Sequence, residues 1–534
     1  MTDTTYDSHD PSDRADPSAS SRAQGPAPEV TTTAGRVRGL WRGESAAYLG
    51  VPYAAAPVGD LRFAPPAPHR PWSGTLDATR TLDATRPGPT PQRRPFSDHP
   101  TIPEPVIPGD EILNLNVFTP APGDREARLP VFVWIHGGAY ISGTPSSPWY
   151  DGRSFNRDGI VTVNVSYRLG FEGFGWSGSE EEGGLNRGLL DQIAALEWVR
   201  DNIAGFGGDP SRITLGGQSA GGTSVLDLLA VPRAQGLFHR ATAQSPAVND
   251  IPAAEVIRAS RTLAGTLGIP CTPAGWASLS PEQILDVERS GAAYGGYSMF
   301  DPPTVPDVTA TVSALRRGGP VTPTMIWAPA VDGELFPAAV ATAAVDGHGV
   351  QVPLLVGGTP TEFPVPTPVP VEKVFADLRA AGVPQPSLDR LEDRVAVTGG
   401  QFALSLVLSA LQFGVGIVRV ADARRGADVA GAGTWLYEFD GRTGPAGLSP
   451  HCSDIPFSFD VTDAPGVTTA SGTGVPRQLA DAMHGDWVRF IRGENPDWPS
   501  VEDAGVLQAR VYDAGGSHLD PQAWDFAAGL AGVR

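Results

Sequence analysis

Short apolar segments recur along the chain and are separated by longer, more polar stretches. Runs of this length without polar alternation are typical of strands that are buried on both faces of a parallel sheet. Between two of them, Leu189, Ile193, Leu196 and Ile203 recur at helical spacing. This alternation predicts an α/β fold in which helices flank a mostly parallel, twisted sheet. The predicted strands cover residues 131–135, 160–166, 212–215, 352–356 and 435–439.

A serine lies in a glycine-rich turn directly after one of these segments. Residues 216–222 read GGQSAGG and follow the β-rich stretch 212–215. In the pattern G-x-S-x-G, the two glycines leave room for a sharp turn from strand to helix, which holds the serine hydroxyl above the sheet. Ser219 is therefore the candidate nucleophile.

An upstream loop offers hydrogen-bond donors for an oxyanion. The first apolar segment leads into residues 136–140 (HGGAY), which resemble the HGGG-type loop of lipases and esterases. The backbone N–H groups of Gly137, Gly138 and Ala220 form the expected oxyanion hole. We expect the histidine of this loop to shape it and not to act as the base.

The base is expected downstream of the serine, because enzymes built around such a turn follow the order Ser, Asp or Glu, then His. Four histidines follow residue 300. His348 precedes the best acid candidate, His484 lies in an amphipathic pattern that favours a structural role, and His518 lies in a polar C-terminal stretch. His451 follows a strand-like segment and a Gly/Pro-rich loop, so we predict that it is the general base.

Two segments compete to supply the carboxylate that orients the base. Residues 352–358 lead into residues 359–363 (TPTEF), so Glu362 lies just past a predicted strand end, where an orienting carboxylate belongs. The alternative is Asp332 or Glu334, which precede a strand and which we interpret as structural or solvated. Glu362 is the preferred acid.

Further blocks of the chain resemble the type-B carboxylesterase family, which includes bacterial para-nitrobenzyl esterases and animal cholinesterases. The most specific block runs from residue 186 to residue 210 and leads into the serine turn. The resemblance spans almost the whole chain. The other matching blocks are residues 50–54 (GVPYA), 57–63 (PVGDLRF), 111–117 (EILNLNV) and 167–171 (YRLGF).

This resemblance implies an α/β-hydrolase fold, with insertions over the active site, and a carboxylic ester hydrolase that forms an acyl-enzyme. It implies that Ser219, Glu362 and His451 form the catalytic triad and that Ser245 is a partner of the acid. It also implies two ion pairs, one of Arg62 with Glu111 and one of Arg168 with Asp191.

The chain departs from the family pattern at four positions. Phe363 stands where a glycine usually follows the catalytic glutamate, and Thr359 stands where an asparagine usually opens that loop. Thr90 and Ile112 replace the cysteines of the first disulfide of secreted members. We therefore expect the loop that carries the acid to be rebuilt.

A catalytically inactive binding module on the same scaffold is the alternative function, because a fold does not by itself fix an activity. Such a module gains nothing from retaining a nucleophile, an acid and a base together. The presence of all three in this chain favours the enzyme.

Composition and charge limit the partners, cofactors and cellular location that can be expected for the protein. A formal net charge of −20 argues against a nucleic-acid partner, whose phosphates require Lys and Arg. The two cysteines, Cys271 and Cys452, predict no disulfide framework. Neither a signal-peptide pattern nor a run of about eighteen apolar residues occurs, so we expect a bacterial cytoplasmic protein without a membrane partner. Without a metal-ligand spacing or a dinucleotide-binding glycine motif, we expect no metal and no cofactor.

The remaining expectations concern organisation and substrate. Residues 1–28 are expected to be a disordered polar tail, and residues 29–534 are expected to form one monomeric domain. The hexapeptide TLDATR at residues 75–80 is repeated at residues 81–86, which predicts an enlarged surface loop. The expected substrates are small neutral, aryl or benzyl esters, with water as the second reactant. The aromatic candidates for the pocket lining are Tyr294, Tyr297, Phe300, Trp327 and Phe363.

Overall fold

The computed structural model describes residues 26–72, 81–93, 101–289, 307–320, 325–427 and 432–533. Most of the N-terminal segment expected to be disordered lies outside these ranges, as does the first copy of the repeated hexapeptide. The strands of the described residues are β1 (Glu29–Thr32), β2 (Gly35–Arg38), β3 (Leu40–Arg42), β4 (Ser45–Pro52), β5 (Thr81–Asp83), β6 (Asn114–Thr119), β7 (Leu129–Ile135), β8 (Val161–Val165), β9 (Gly208–Gln218), β10 (Arg240–Gln244), β11 (Ile251–Pro252), β12 (Ala330–Val331), β13 (Leu354–Gly358), β14 (Thr434–Asp440), β15 (Ala509–Asp513) and β16 (Gly516–Asp520).

Eleven of these strands form one large sheet in the order β16-β15-β14-β13-β10-β9-β7-β8-β6-β4-β3. The neighbours from β15 to β8 run parallel, and the outer pairs run antiparallel. All five predicted apolar segments belong to this parallel centre. The prediction of a mostly parallel sheet is therefore confirmed.

The helices lie between and around these strands. The predicted helix that carries Leu189, Ile193 and Leu196 is confirmed, and Ile203 follows it in a short 3-10 turn. The α-helices of the described residues are α1 (Arg153–Arg157), α2 (Gly170–Phe174), α3 (Arg187–Asn202), α4 (Ala220–Ala230), α5 (Ala253–Leu267), α6 (Pro273–Ala277), α7 (Pro281–Arg289), α8 (Val308–Arg316), α9 (Val340–Val345), α10 (Val371–Ala380), α11 (Gln385–Thr398), α12 (Ala403–Ser409), α13 (Val415–Arg425), α14 (Ile455–Ser458), α15 (Val467–Ser471), α16 (Arg477–Arg492), α17 (Val501–Ala504) and α18 (Asp525–Ala531).

Strand β7 shows why the apolar segments lack polar alternation. Its side chains alternate between the two faces of the sheet. Val131 and Val133 belong to one hydrophobic cluster, whereas Phe132 and Trp134 belong to another, and all four are fully buried. Both faces of the central sheet are therefore covered by protein.

A long apolar stretch, Gly400–Arg425, joins α12 and α13 through a π-helical turn at Ala410–Gly414. Its length and composition would suffice for a membrane span, but 78% of its most apolar window is buried inside the protein. Such burial is typical of a core helix of a globular protein.

One of the two ion pairs implied by the family resemblance is confirmed. The Arg168 guanidinium contacts Asp191 on α3, with Nη2 at 2.7 Å from Oδ1 and Nε at 2.8 Å from Oδ2. Both side chains are almost completely buried.

The other implied pair, Arg62 with Glu111, is wrong. Arg62 Nη2 lies 2.6 Å from Oε1 of Glu172 on α2, whereas Glu111 Oε2 lies 3.7 Å from His69 Nε2. Half of the Glu111 side chain is exposed. Arg62 therefore pairs with the more buried carboxylate, where water screens the attraction less.

The second copy of the hexapeptide begins in strand β5. This strand pairs parallel with β2 in a small three-stranded sheet with β1. The described part of the repeat is thus partly a strand, whereas the sequence predicted a loop.

Candidate active site

Ser219 lies in the turn between β9 and α4, as the G-x-S-x-G pattern predicted. Its backbone has φ 58° and ψ −125°, a conformation that non-glycine residues rarely adopt. A Cβ on Gly217 would lie 2.4 Å from the Gly221 carbonyl carbon, and one on Gly221 would lie 2.0 Å from the Ile135 oxygen. The turn therefore has no room for a side chain at either glycine.

The loop after β7 packs against this serine. A Cβ on Gly137 would lie 2.9 Å from the Cβ of Ser219. The N–H groups of Gly137 and Gly138 donate to no acceptor among the described residues. The N–H of Ala220 opens α4 and has no acceptor within the helix. These are the three predicted oxyanion-hole donors, and all three lie in the turns around Ser219.

His136 holds this loop in place through contacts of its ring. Its ring stacks on Tyr167 with ring centroids 4.6 Å apart, and its Nδ1 lies 2.8 Å from the Gly137 oxygen. Burial lowers the pKa of His136 to about 4. A buried neutral imidazole fits the structural role that the sequence predicted for it.

The predicted acid and base are in direct contact. Glu362 lies in the loop after β13, and His451 lies in the loop between β14 and α14. Nδ1 of His451 is 2.5 Å from Oε2 of Glu362, and Oε1 accepts a hydrogen bond of 3.0 Å from the Thr359 N–H. The carboxylate is almost completely buried, so it is well placed to orient the imidazole.

Further hydrogen bonds join the two loops. The N–H of His451 donates to the Glu362 carbonyl at 2.6 Å. The Thr361 hydroxyl donates to the Ser449 carbonyl at 2.8 Å and accepts from the Ser449 N–H at 3.1 Å. Three hydrogen bonds therefore join the loop that carries Glu362, which was expected to be rebuilt, to the loop that carries His451.

The second nitrogen of the His451 ring faces an amide. Nε2 lies 3.2 Å from Nε2 of Gln218, and no hydrogen bond joins it to the Ser219 hydroxyl. Hydrogen bonds of this kind are often long or unformed before substrate binds. Burial lowers the pKa of His451, but neighbouring Cys452 and Glu362 outweigh burial, so the pKa lies well above its ordinary value.

Two phenylalanines flank the imidazole. The ring centroids of Phe363 and Phe413 each lie 4.9 Å from that of His451. Phe363 is 37% exposed and lies where solvent reaches the site, whereas Phe413 is buried in the π-helical turn. The candidate pocket residue Phe363 therefore does lie at the site.

Sequence reasoning missed Gln218 and Phe413. Gln218 directly precedes the serine in the motif, so its position was a usable signal. Phe413 lies in an apolar helix in which nothing in the sequence distinguishes it from core residues.

Ser245 was predicted to be a partner of the acid. Among the described residues its hydroxyl has no hydrogen-bond partner, although it and Glu362 both lie next to Gly358. The Thr359 N–H donates to Oε1 of the acid, and Oε2 contacts the imidazole of His451. The role of Ser245 next to the acid therefore stays a prediction.

Of the other predicted pocket residues, only Trp327 belongs to the described part of the chain. Trp327 is buried in the core, where it packs edge-on against Phe171 with ring centroids 5.5 Å apart. Tyr294, Tyr297 and Phe300 lie outside the described residues.

Two of the rejected candidates, one for the acid and one for the base, make structural contacts. Asp332 accepts hydrogen bonds from Asn186 Nδ2 at 2.7 Å and from the Phe336 N–H at 3.0 Å. The imidazole of His484 contacts the Ser458 carbonyl at 2.8 Å and Asp158 at 3.1 Å. Within the described ranges, no group of His, Cys, Asp and Glu residues is arranged to hold a metal ion.

Comparisons of the sequence and of the structure with known proteins both find similarity to carboxylesterases. The model of the carboxylesterase family matches residues 26–376. The para-nitrobenzyl esterase of Bacillus subtilis (strain 168) is 30% identical over 490 residues, covering 89% of this chain and 92% of that enzyme. Liver carboxylesterase 1 of Mus musculus is 31% identical over 555 residues, covering 93% of this chain and 92% of that enzyme. The crystal structure of carboxylesterase EST55 of Geobacillus stearothermophilus at pH 6.8 superposes on this chain with a TM-score of 0.70 at 30% identity. The superposition covers 94% of this chain and 99% of that chain.

Proposed function

Since this chain belongs to the carboxylesterase family and hydrolyses carboxylic esters, we propose that Ser219, His451 and Glu362 carry its reaction. The contact of 2.5 Å between His451 Nδ1 and Glu362 Oε2 is the observation that supports this proposal most. The relatives named above are esterases, so the alternative of an inactive binding module has no support.

In the acylation step, the Ser219 hydroxyl oxygen attacks the ester carbonyl carbon while Nε2 of His451 takes the hydroxyl proton. Glu362 accepts the Nδ1–H of the ring and stabilises the imidazolium that forms. The carbonyl oxygen becomes an oxyanion that accepts hydrogen bonds from the N–H groups of Gly137, Gly138 and Ala220.

Collapse of this intermediate breaks the bond to the alcohol, which leaves with the proton held on Nε2 of His451. Water then attacks the acyl-serine in the same way, with His451 again taking the proton. The second collapse releases the carboxylic acid and restores the Ser219 hydroxyl. In these steps the ester and water are the reactants, and residues of this chain make every proton transfer.

We propose small neutral esters with aryl or benzyl alcohols as the substrate class. Phe363 and Phe413 offer flat apolar surfaces next to the base, which suit such leaving groups. The net charge of −20 disfavours anionic esters, although salt screens exposed charges beyond about 10 Å.

The organisation of the chain is part of the same proposal. Residues 29–534 form one domain, because one hydrophobic cluster contains residues from Val30 to Ala531. The protein acts as a monomer in the bacterial cytoplasm, which its free cysteines Cys271 and Cys452 suit, without a nucleic-acid, membrane or cofactor partner.

Hydrolysis of para-nitrophenyl butyrate by purified variants tests the residue assignment. Ser219→Ala is expected to lower kcat by about 10⁴-fold or more, because triad members act as a unit. Ser211→Ala removes a hydroxyl from the same strand at a solvent-accessible position and is expected to keep full activity. A Ser219→Ala enzyme with wild-type turnover would disprove the assignment.

A further inference from the structure

A cavity lies away from the proposed catalytic residues. Its volume is about 290 Å³, and none of Ser219, Glu362 and His451 lines it. Clefts of roughly this size upward hold small organic ligands. Its walls come from the segments around residues 57–62 and 91–112, from the start of α2, and from α7. The apolar part of the lining includes Val58, Ile112, Phe171, Ile284 and Leu285.

The two arginines that line this cavity are already bound to carboxylates. Arg62 donates from Nε and Nη2 to Glu172, and from Nη1 to the Leu279 carbonyl. Arg168 is paired with Asp191 and also donates to backbone carbonyls. Neither guanidinium is therefore left with an uncompensated charge for an anionic ligand.

Among the described residues, the carboxyl group of Glu288 has no such cationic partner. It lines the cavity from α7, and the residue is only 4% exposed. The Phe171 N–H donates to its Oε1 at 2.9 Å, and this is its one hydrogen bond to the described residues. A buried carboxylate without a cationic partner is costly, so a cation bound in the cavity would stabilise the charged form of Glu288.

We propose that this cavity binds an organic ammonium ion with an apolar body, of about the size of benzylammonium. The ammonium group donates hydrogen bonds to the Glu288 carboxylate, and the apolar body packs against Phe171, Ile284 and Leu285. The site is separate from the ester-hydrolysing residues and does not depend on their assignment.

The charges around Glu288 set the pH dependence of binding. Glu172 and Asp110 add negative charge, Arg62 offsets Glu172, and Arg168 is neutralised by Asp191. Burial is the main cause that raises the pKa of Glu288 to about 8. Below that pH a bound cation has to displace a proton, so affinity for the ammonium ion rises as the pH increases through this range.

Calorimetric titration with benzylammonium, at a pH above the pKa of Glu288, tests the proposal. Benzyl alcohol has the same shape without the charge and serves as the neutral probe for comparison. Glu288→Gln is expected to weaken ammonium binding by about tenfold or more, because a hydrogen bond to a charged group is lost. The matched control is Glu282→Gln on the same helix, at an exposed position outside the lining. It is expected to change affinity by less than about twofold. Equal binding by wild type and Glu288→Gln would overturn the proposal.

A second variant keeps the test decisive if Glu288→Gln fails to fold. Val58 lines the cavity and is 47% exposed, so Val58→Trp fills the space from its rim with Glu288 intact. This variant is expected to lose ammonium binding. Saturating benzylammonium is also expected to leave the KM for a neutral ester unchanged. Undiminished binding by Val58→Trp, or simple competition with the ester, would place the cation elsewhere and overturn the proposal.

Discussion

The side-chain amide of Gln218 lies 3.2 Å from Nε2 of His451, on the nitrogen that accepts the nucleophile's proton in the proposed reaction. When Nδ1 carries the proton donated to Glu362, Nε2 is an acceptor and the amide can donate to it. The amide and the Ser219 hydroxyl therefore compete for one nitrogen. Because the amide is neutral, it adds no charge to the pair of imidazole and carboxylate.

We expect Gln218→Glu to shift the acidic limb of the pH profile of kcat/KM to higher pH. The pKa of His451 is already raised, and a second carboxylate favours the protonated ring, which is not a base. Unit charges about 4 Å apart interact by about 1 kcal/mol in bulk water and by about 4 kcal/mol near a protein surface, so a shift of about one pH unit or more is expected.

The control for this prediction is Gln218→Met, which removes the hydrogen bond without adding charge. Its acidic limb is expected to stay near that of the wild type. Identical pH profiles for the wild type and Gln218→Glu would show that residue 218 does not face the base in solution.

Glu362→Gln is expected to lower kcat by about 10³-fold to 10⁴-fold, because an amide neither fixes the imidazole tautomer nor stabilises the imidazolium. Asp332→Asn is the matched control, since it makes the same change at the alternative acid. Asp332 accepts backbone hydrogen bonds, so Asp332→Asn is expected to lower the melting temperature of the protein with little change in kcat. The reverse ranking in kcat would move the acid to Asp332.

Arg168→Ala is expected to lower the free energy of unfolding by about 3–5 kcal/mol, because it leaves the Asp191 carboxylate buried without its partner. Urea unfolding measures the change. Arg233→Ala breaks the exposed pair with Glu182 and is expected to cost less than about 1 kcal/mol. Equal losses in the two variants would contradict the dependence on burial.

Short-chain nitrophenyl esters are expected to have higher kcat/KM than the palmitate ester, and benzyl esters higher kcat/KM than matched anionic esters. The aromatic surfaces of Phe363 and Phe413, with ring centroids 5.8 Å apart, favour flat leaving groups. The assay compares acetate, butyrate and palmitate at fixed ionic strength. A tenfold preference for palmitate, about 1.4 kcal/mol in transition-state binding, would indicate a long acyl tunnel instead.

The sheet and the serine turn were predictable because their signals are local. A strand covered on both faces requires an unbroken apolar run, as in β7, and the turn at Ser219 excludes side chains at both flanking glycines. Glu362 was also predictable from its place just after β13. These signals do not depend on how distant loops pack.

The contacts around the base were not predictable in the same way. Gln218 and His451 are 233 positions apart, and Phe413, which contacts the ring, lies in the π-helical turn. The partner of Arg62 depended on which of two nearby carboxylates the loop packing buried, and the local pattern around Glu111 does not contain that information.

The π-helical turn also determines where the length of its helix can change. It holds one more residue than an α-helical turn, so the residues after Gly414 are rotated by about 100° relative to an uninterrupted α-helix. Before it, Ser405 is bonded to Val365, and after it, Arg424 donates to the Val352 carbonyl. A single substitution changes one contact of this helix. A one-residue deletion within the turn would restore a regular α-helical turn and leave the later side chains facing their partners, whereas a one-residue deletion elsewhere in the helix would rotate every later side chain by about 100°. The π-helical turn is therefore the one place in this stretch where a residue can be lost without changing the contacts that follow it.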